Sequence, residues 1–431
     1  MAHPITSILP AGLCCLWMAG ALSPMPTQAA GVFPTTQPNG FGATLPGQPN
    51  GFGSTLPGQP AGFTESPTPE SGGDLAASLL QGLKLAATFS SYYNSNISPN
   101  QNVAANTAKD DFILSLGGNV NYLSRASDFT FGGNYRGNYN QYFNHPDLSG
   151  YSQGGGLVAN YNGGRWNVSG TLGMSIDRGN NSNYSSNFVE QTTVTSSLTA
   201  RYLLSPKTTL QGTFNQYFTS ATGGYSDTSS LSCDVSALWK YSPLTELGPG
   251  IRYSYRSGST QIGRTSIGPT LNVNYKLSQK VALTSRVGVD FSSYDNGTSA
   301  DPTISASLGL TYQASKLWGM DLSLYRDTQA DPSIAGAYTE LTSLRLGYHH
   351  KILRALWNVG TSYQMNSSIM PGGPSGALPK RDYFSMDTSL AMLTFANTTT
   401  ANVFLQFNDQ SGGNTKSWNS IQTGFSLSRS F

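Results

Sequence analysis

The chain has 431 residues, with 24 Lys and Arg against 22 Asp and Glu, and the resulting formal charge of +2 gives no basis for a nucleic-acid partner. Only 11% of residues are charged, against roughly 25% in a typical soluble domain, and mean hydropathy is −0.27. No run of ~18 apolar residues occurs, which excludes a bundle of membrane-spanning helices.

Residues 1–30 read as a secretory signal. The apolar stretch from Ala11 to Leu22 is too short to span a bilayer, and small residues at Thr27 and Ala29 suit cleavage. Leu13 and Cys14 precede the two leader cysteines where a lipoprotein signal needs a small residue, so Cys14 and Cys15 are not a lipidation site. Cleavage leaves Cys233 alone, and one thiol makes neither an internal disulfide nor a cysteine zinc site. It reads as a small apolar residue on a strand face.

Residues 31–73 form a Pro/Gly-rich arm. QPNGFGATLPG at 37–47 is followed at once by QPNGFGSTLPG at 48–58, and a third copy decays from Gln59. Proline removes amide donors and glycine raises the entropy cost of ordering, so the arm is expected to be an extended, disordered periplasmic spacer. Phe41, Phe52 and Phe63 recur at one spacing and would serve as anchors if the arm holds a periplasmic protein partner. Asp74–Leu83 then reads as one short helix, capped by Asp74, with Leu75, Leu79 and Leu83 on one face.

From Lys84 to Phe431 the period is two. Val281, Leu283, Val287, Val289 and Phe291 alternate with Thr284, Arg286, Gly288 and Asp290. Trp357, Val359 and Tyr363 alternate with Asn358, Gly360 and Gln364, and Val403, Leu405 and Phe407 with Asn402, Gln406 and Asn408. Alternate residues of a strand face opposite sides, so each segment offers one apolar and one polar wall. Tight turns fit at Ser124–Asp128, Asn162–Arg165, Leu204–Thr208, Ser242–Thr245, Leu277–Lys280, Ala314–Leu317, His350–Arg354 and Ala396–Thr399. Looser segments alternate with them, among them Asn94–Asp110, Arg178–Asn187, Asp327–Ala337 and Ser367–Arg381. The fold expected is all-β: a transmembrane, antiparallel, up-and-down barrel of about 18 strands, within a range of 16–18. Tyr122, Phe129, Tyr161, Trp166, Tyr202, Trp239, Tyr241, Tyr275, Tyr312, Trp318, Tyr348 and Trp357 all sit beside the tight turns. That placement suits a girdle at one membrane interface.

With Ile421, Thr423, Phe425, Leu427 and the terminal Phe431, the chain resembles the bacterial outer-membrane porin-type barrels. The resemblance implies a Gram-negative outer-membrane location in contact with lipid and lipopolysaccharide. It also implies that the barrel-assembly machinery reads the last strand through Phe431, although Arg429 departs from the apolar residue usual two places before the end. The turn YLLSPKT at 202–208, echoed by YKLSQK at 275–280, resembles barrels encoded with exopolysaccharide-export systems.

By parity, the polar wall carries Arg136, Asp234, Arg252, Arg256, Arg286, Asp290, Asp321, Arg345 and Asp387, which are the pore-lining candidates. Positive and negative groups nearly cancel, so strong ion selectivity is not expected. Asn134, Asn138, Asn140, Asn272 and Asn274 fill other lumen positions with uncharged polar groups. Arg252, Arg256 and Arg286, with Asp234 and Asp290 nearby, form either a salt-bridged belt that stiffens the barrel or a ladder that guides a solute. No cofactor, metal or enzymatic activity is expected. His145 with Asp147 is the one pair near the outer rim and reads as solvated loop charge, and adjacent His349 and His350 point to opposite faces. A channel for polar, mostly uncharged solutes, or for a polysaccharide, competes with a scaffold that recruits an envelope partner through the arm.

Overall fold

The computed structural model describes residues 82–97, 110–180, 188–223, 225–278, 280–331, 334, 336–370, 380–394, 398–412 and 418–431. Residues 1–81 lie outside this set, and with them the signal, the arm and nearly all of Asp74–Leu83; Leu83 itself opens the first strand. The period-two segments become eighteen strands. The first six are β1 (Leu83–Asn94), β2 (Asp111–Arg125), β3 (Phe129–Tyr142), β4 (Gly150–Gly163), β5 (Trp166–Asn180) and β6 (Phe188–Ser205). Then come β7 (Thr208–Ala221), β8 (Thr228–Ser242), β9 (Thr245–Gly258), β10 (Gln261–Lys276), β11 (Val281–Tyr294) and β12 (Ser299–Gln313). The last are β13 (Trp318–Ala330), β14 (Tyr338–Ile352), β15 (Ala355–Ile369), β16 (Lys380–Thr394), β17 (Thr399–Ser411) and β18 (Trp418–Ser430).

Each strand pairs antiparallel with its sequence neighbours, and β1 pairs with β18 from Ala86↔Ser430 to Asn94↔Gln422, which closes the sheet. Closure leaves the sheet without an open edge strand. The eight expected tight turns all connect strands at the end where the chain enters β1 and leaves β18; this is the turn end, and the opposite one the loop end. Loop-end connections are not uniformly long. Ser259–Thr260 alone joins β9 to β10, and Asp295–Thr298 joins β11 to β12.

The outward parity is apolar and exposed: Ile251 is 61% exposed, Ile267 54%, Val287 51%, Ile304 56% and Val403 61%. Large side chains at such exposure on every side of a closed sheet are stable only against lipid. Beside the tight turns the aromatics touch one another along the rim. Tyr312 meets Trp318 at 5.6 Å, Trp318 meets Tyr348 at 6.2 Å, and Tyr348 meets Trp357 at 5.7 Å, ring centre to ring centre. At the end of β18, on the same rim, the guanidinium of Arg429 lies 5.5 Å over the ring of Phe431.

Three prolines lie inside strands among the described residues: Pro249 in β9, Pro269 in β10 and Pro302 in β12. Proline has no N–H to give to a ladder. The β8–β9 ladder accordingly skips from Ser236↔Gly250 to Trp239↔Leu247, and the β10–β11 ladder from Ile267↔Phe291 to Thr270↔Gly288, each without losing register. Asp301 and Pro302 form a bulge opposite Phe291. At both gaps the chains approach so closely that only glycine fits, since a Cβ on Gly248 or Gly268 would stand 1.8 Å from a facing carbonyl oxygen. In this same sector the wall turns in on itself. Cα atoms of β13 come within 8 Å of β8 and β9, although β9 and β13, four strands apart, would stand about 19 Å from each other along a flat sheet.

Candidate functional site

The fold in the wall brings inward side chains of β8–β14 together toward the loop end. Asp327 on β13 is its centre. Arg252 Nη2 and Arg256 Nη2 donate to its two carboxylate oxygens, the second at 2.8 Å. The Tyr325 hydroxyl donates at 2.8 Å, and so does the Thr328 amide. Arg252 also reaches Asp290 at 3.3 Å, Arg256 donates to Ser254 Oγ at 2.9 Å, and Arg286 stands 3.9 Å from Asp234. The Thr270 hydroxyl gives Asp234 a further contact at 3.4 Å. Arg252 and Arg256 are 4% and 3% exposed, so these charges face one another rather than open water.

A second carboxylate ties the same sector shut at the rim. Asp331 Oδ2 accepts from Arg381 at 2.9 Å, Thr339 at 2.8 Å and Ser368 at 2.9 Å. The tip of the β9–β10 hairpin crosses to meet it: Gln261 donates to the Asp331 carbonyl at 2.7 Å, and the single Tyr338 hydroxyl proton has the carbonyls of Ile262 and Arg256 as its two acceptors.

The nine candidate residues therefore divide. Asp234, Arg252, Arg256 and Asp290 are buried in the folded wall, with Arg286 at its edge. Arg136, Asp321, Arg345 and Asp387 sit on inward parity elsewhere and keep contact with solvent. Two of these open carboxylates lie over glycines: Asp321 pairs with Gly347 and Asp387 with Gly360, where an added Cβ would come within 2.5 Å of the carboxylate. Sequence reasoning missed Asp327, Asp331, Arg264 and Arg381. Asp327 and Asp331 fell in a segment read as a loop, yet Asp327 continues the inward parity of Asp321, Ser323 and Tyr325, and that step of two was the available signal.

On another side the lumen is filled by apolar groups. Tyr92, Ile97, Ile113, Tyr142 and Phe404 form a buried cluster with Leu148 against it, and the Tyr92 and Phe404 rings stand 6.0 Å apart. Asp111, wholly buried, fixes the loop above. It accepts the amides of Phe143, Asn144 and His145 at 3.0, 2.9 and 2.9 Å. His145 Nδ1 lies 3.1 Å from Asp111, so the histidine engages this carboxylate and not Asp147, its neighbour in sequence. Nothing here resembles a nucleophile held against a base. Among the described residues no group of three or more His, Cys, Asp or Glu is placed to hold a metal ion.

A closed, eighteen-stranded antiparallel sheet with an apolar outside, a polar inside and an aromatic girdle is a bacterial outer-membrane β-barrel, and its place is the outer membrane. No protein-family model and no curated protein sequence matches the chain. Solved structures similar to it include the outer-membrane protein OpdK of Pseudomonas aeruginosa, at 12% identity and a TM-score of 0.41, covering 81% of this chain and 98% of that one. OccAB3 of Acinetobacter baumannii is similar at 10% identity and a TM-score of 0.40, covering 81% and 99%. The FrpB iron transporter of Neisseria meningitidis is similar at 10% identity and a TM-score of 0.38, covering 83% of each chain.

Proposed function

We propose that the barrel is a porin-like channel through which polar, mostly uncharged solutes cross the outer membrane. The observation that carries this reading is the division of the lumen wall. Away from the folded sector, inward positions that keep contact with solvent are mainly small and uncharged, among them Asn119, Asn121, Asn134, Asn138 and Asn358. Such groups exchange hydrogen bonds with water and with hydroxylated solutes at little desolvation cost. Of the nine candidates, the four that keep contact with solvent away from the folded wall, Arg136 and Arg345 against Asp321 and Asp387, balance in sign. Arg201 is paired with Glu246 at 2.9 Å, and Arg252, Arg256, Asp290 and Asp327 neutralise one another inside the folded wall. A path of this kind conducts with little preference for cations or anions. Purified barrels in planar lipid bilayers should give stepwise conductance with a reversal potential near zero in a salt gradient. Deleting residues 31–73 should leave that conductance in place. Folded protein that inserts and gives no conductance overturns the reading.

A further inference from the structure

Arg264, on β10, is wholly buried and has no carboxylate of its own. Its Nη2 donates to Ser292 Oγ at 3.0 Å, while Nε and Nη1, also buried, have no hydrogen-bond partner among the described residues. The guanidinium lies 5.8 Å from the ring centre of Tyr294 and 5.6 Å from that of Tyr338, which soften the charge without accepting its remaining protons. Directly across the strand pair stands Arg256, in register Arg264↔Arg256. Like charges in facing positions destabilise a sheet unless something lies between or beside them.

The carboxylates in reach are already engaged. Asp327 is shared by Arg252 and Arg256, Asp290 serves Arg252, and Asp331 serves Arg381. Asp295, near Gly263, is exposed and turned to the Tyr255 hydroxyl at 3.3 Å. The buried charges of this group are three arginines, Arg252, Arg256 and Arg264, against three aspartates, Asp234, Asp290 and Asp327, and each aspartate is already paired with an arginine other than Arg264. A buried guanidinium with no ion pair of its own and with unmade hydrogen bonds is among the costliest features a fold can carry.

We propose that Arg264 holds a small monovalent anion of halide size, chloride in a cell, as an integral part of the folded wall. The unpartnered Nε and Nη1 supply the hydrogen bonds, Arg256 adds a second positive charge, and the enclosure by Tyr294 and Tyr338 favours a monatomic ion over a bulky solute anion. The inference does not depend on the channel reading, because its readouts are unfolding and ion position.

The test uses the full barrel in detergent, with chloride, bromide and gluconate salts at equal ionic strength. The midpoint of thermal unfolding should be higher in chloride and bromide than in gluconate, and should rise with the logarithm of halide concentration. Crystals grown in bromide should show an anomalous peak within hydrogen-bonding distance of Arg264 Nε or Nη1. Arg264→Met removes the charge and should remove the halide dependence. Equal midpoints in the three salts overturn the proposal, as does a halide effect that survives in Arg264→Met or that comes without a bromide peak at Arg264. Should Arg264→Met not fold, the bromide peak in the unaltered barrel decides alone.

Discussion

The lumen is filled in two places by two different chemistries. Where β17, β1, β2 and β3 meet, Tyr92, Ile113, Tyr142 and Phe404 are removed from water by packing on one another. Where β8–β14 fold together, Asp327, Arg252, Arg256 and Asp290 are removed from water by ion pairing. Burial of apolar area is non-directional, and its loss is graded with the volume removed. A buried ion pair gains little over apolar groups of the same size, yet losing one member strands the other in a medium that cannot solvate it. The ionic sector is therefore the brittle one, and the apolar sector the forgiving one. What the ionic sector supplies is geometry: Asp327 can hold the inner face of β9 against β13 at one separation, fixed by its bonds to Arg252 and Arg256.

The sharpest way to break the comparison is Asp327→Ala. It leaves Arg252 with Asp290 alone and Arg256 without a carboxylate, and should cost ~3–5 kcal/mol, measured by equilibrium denaturation of barrels refolded in lipid vesicles. Replacing the whole set, with Arg252→Met, Arg256→Met, Asp290→Leu and Asp327→Leu together, should come out near neutral, because both members of each ion pair leave together. A quadruple variant as unstable as Asp327→Ala would show that the ion pairs themselves carry the stability.

The apolar sector should respond by size. Phe404→Ala should cost about 3 kcal/mol and Ile113→Val about 1 kcal/mol, in the same denaturation assay. If the two substitutions cost the same, packing is not what holds β17 against β1 and β2 there.

Much of this architecture is legible in the amino-acid sequence. The strand number, the eight tight turns and the facing of Leu405 or Arg252 follow from alternation, because a slip of one residue would turn every apolar side chain to the wrong wall. Alternation says nothing about distance across the lumen. Parity placed Arg252, Arg256 and Asp290 on the inner face, but the three strands between β9 and β13 hid the meeting of the two arginines with Asp327. The signal nearest to that fold was Gly248-Pro249-Gly250, Gly268-Pro269 and Asp301-Pro302, prolines in mid-strand positions where a flat ladder has no place for them. The loop-like composition of Asp327–Ala337 concealed the rest, since the pairing of Asp327 with Leu341 and Thr328 with Glu340 overrides local polarity.

The smallest effect on stability, and the most informative about conduction, is expected at Arg345. It shares inward parity with Arg252 but lies outside the folded wall and remains exposed, beside Gly347 and Gly360, over which the carboxylates of Asp321 and Asp387 lie. Arg345→Gln should change the free energy of unfolding by no more than about 0.5 kcal/mol, as for other solvated positions. In the channel reading the same change removes one of the positive charges that a passing ion meets, so the reversal potential in a salt gradient should move toward cation preference. Arg252→Gln should do the reverse, lowering the unfolding free energy through Asp290, left without its arginine, and Asp327, left with Arg256 alone, while moving the reversal potential little. If Arg252→Gln shifts the reversal potential and Arg345→Gln does not, ions pass through the ionic sector itself, and the division between a closed wall and an open one fails.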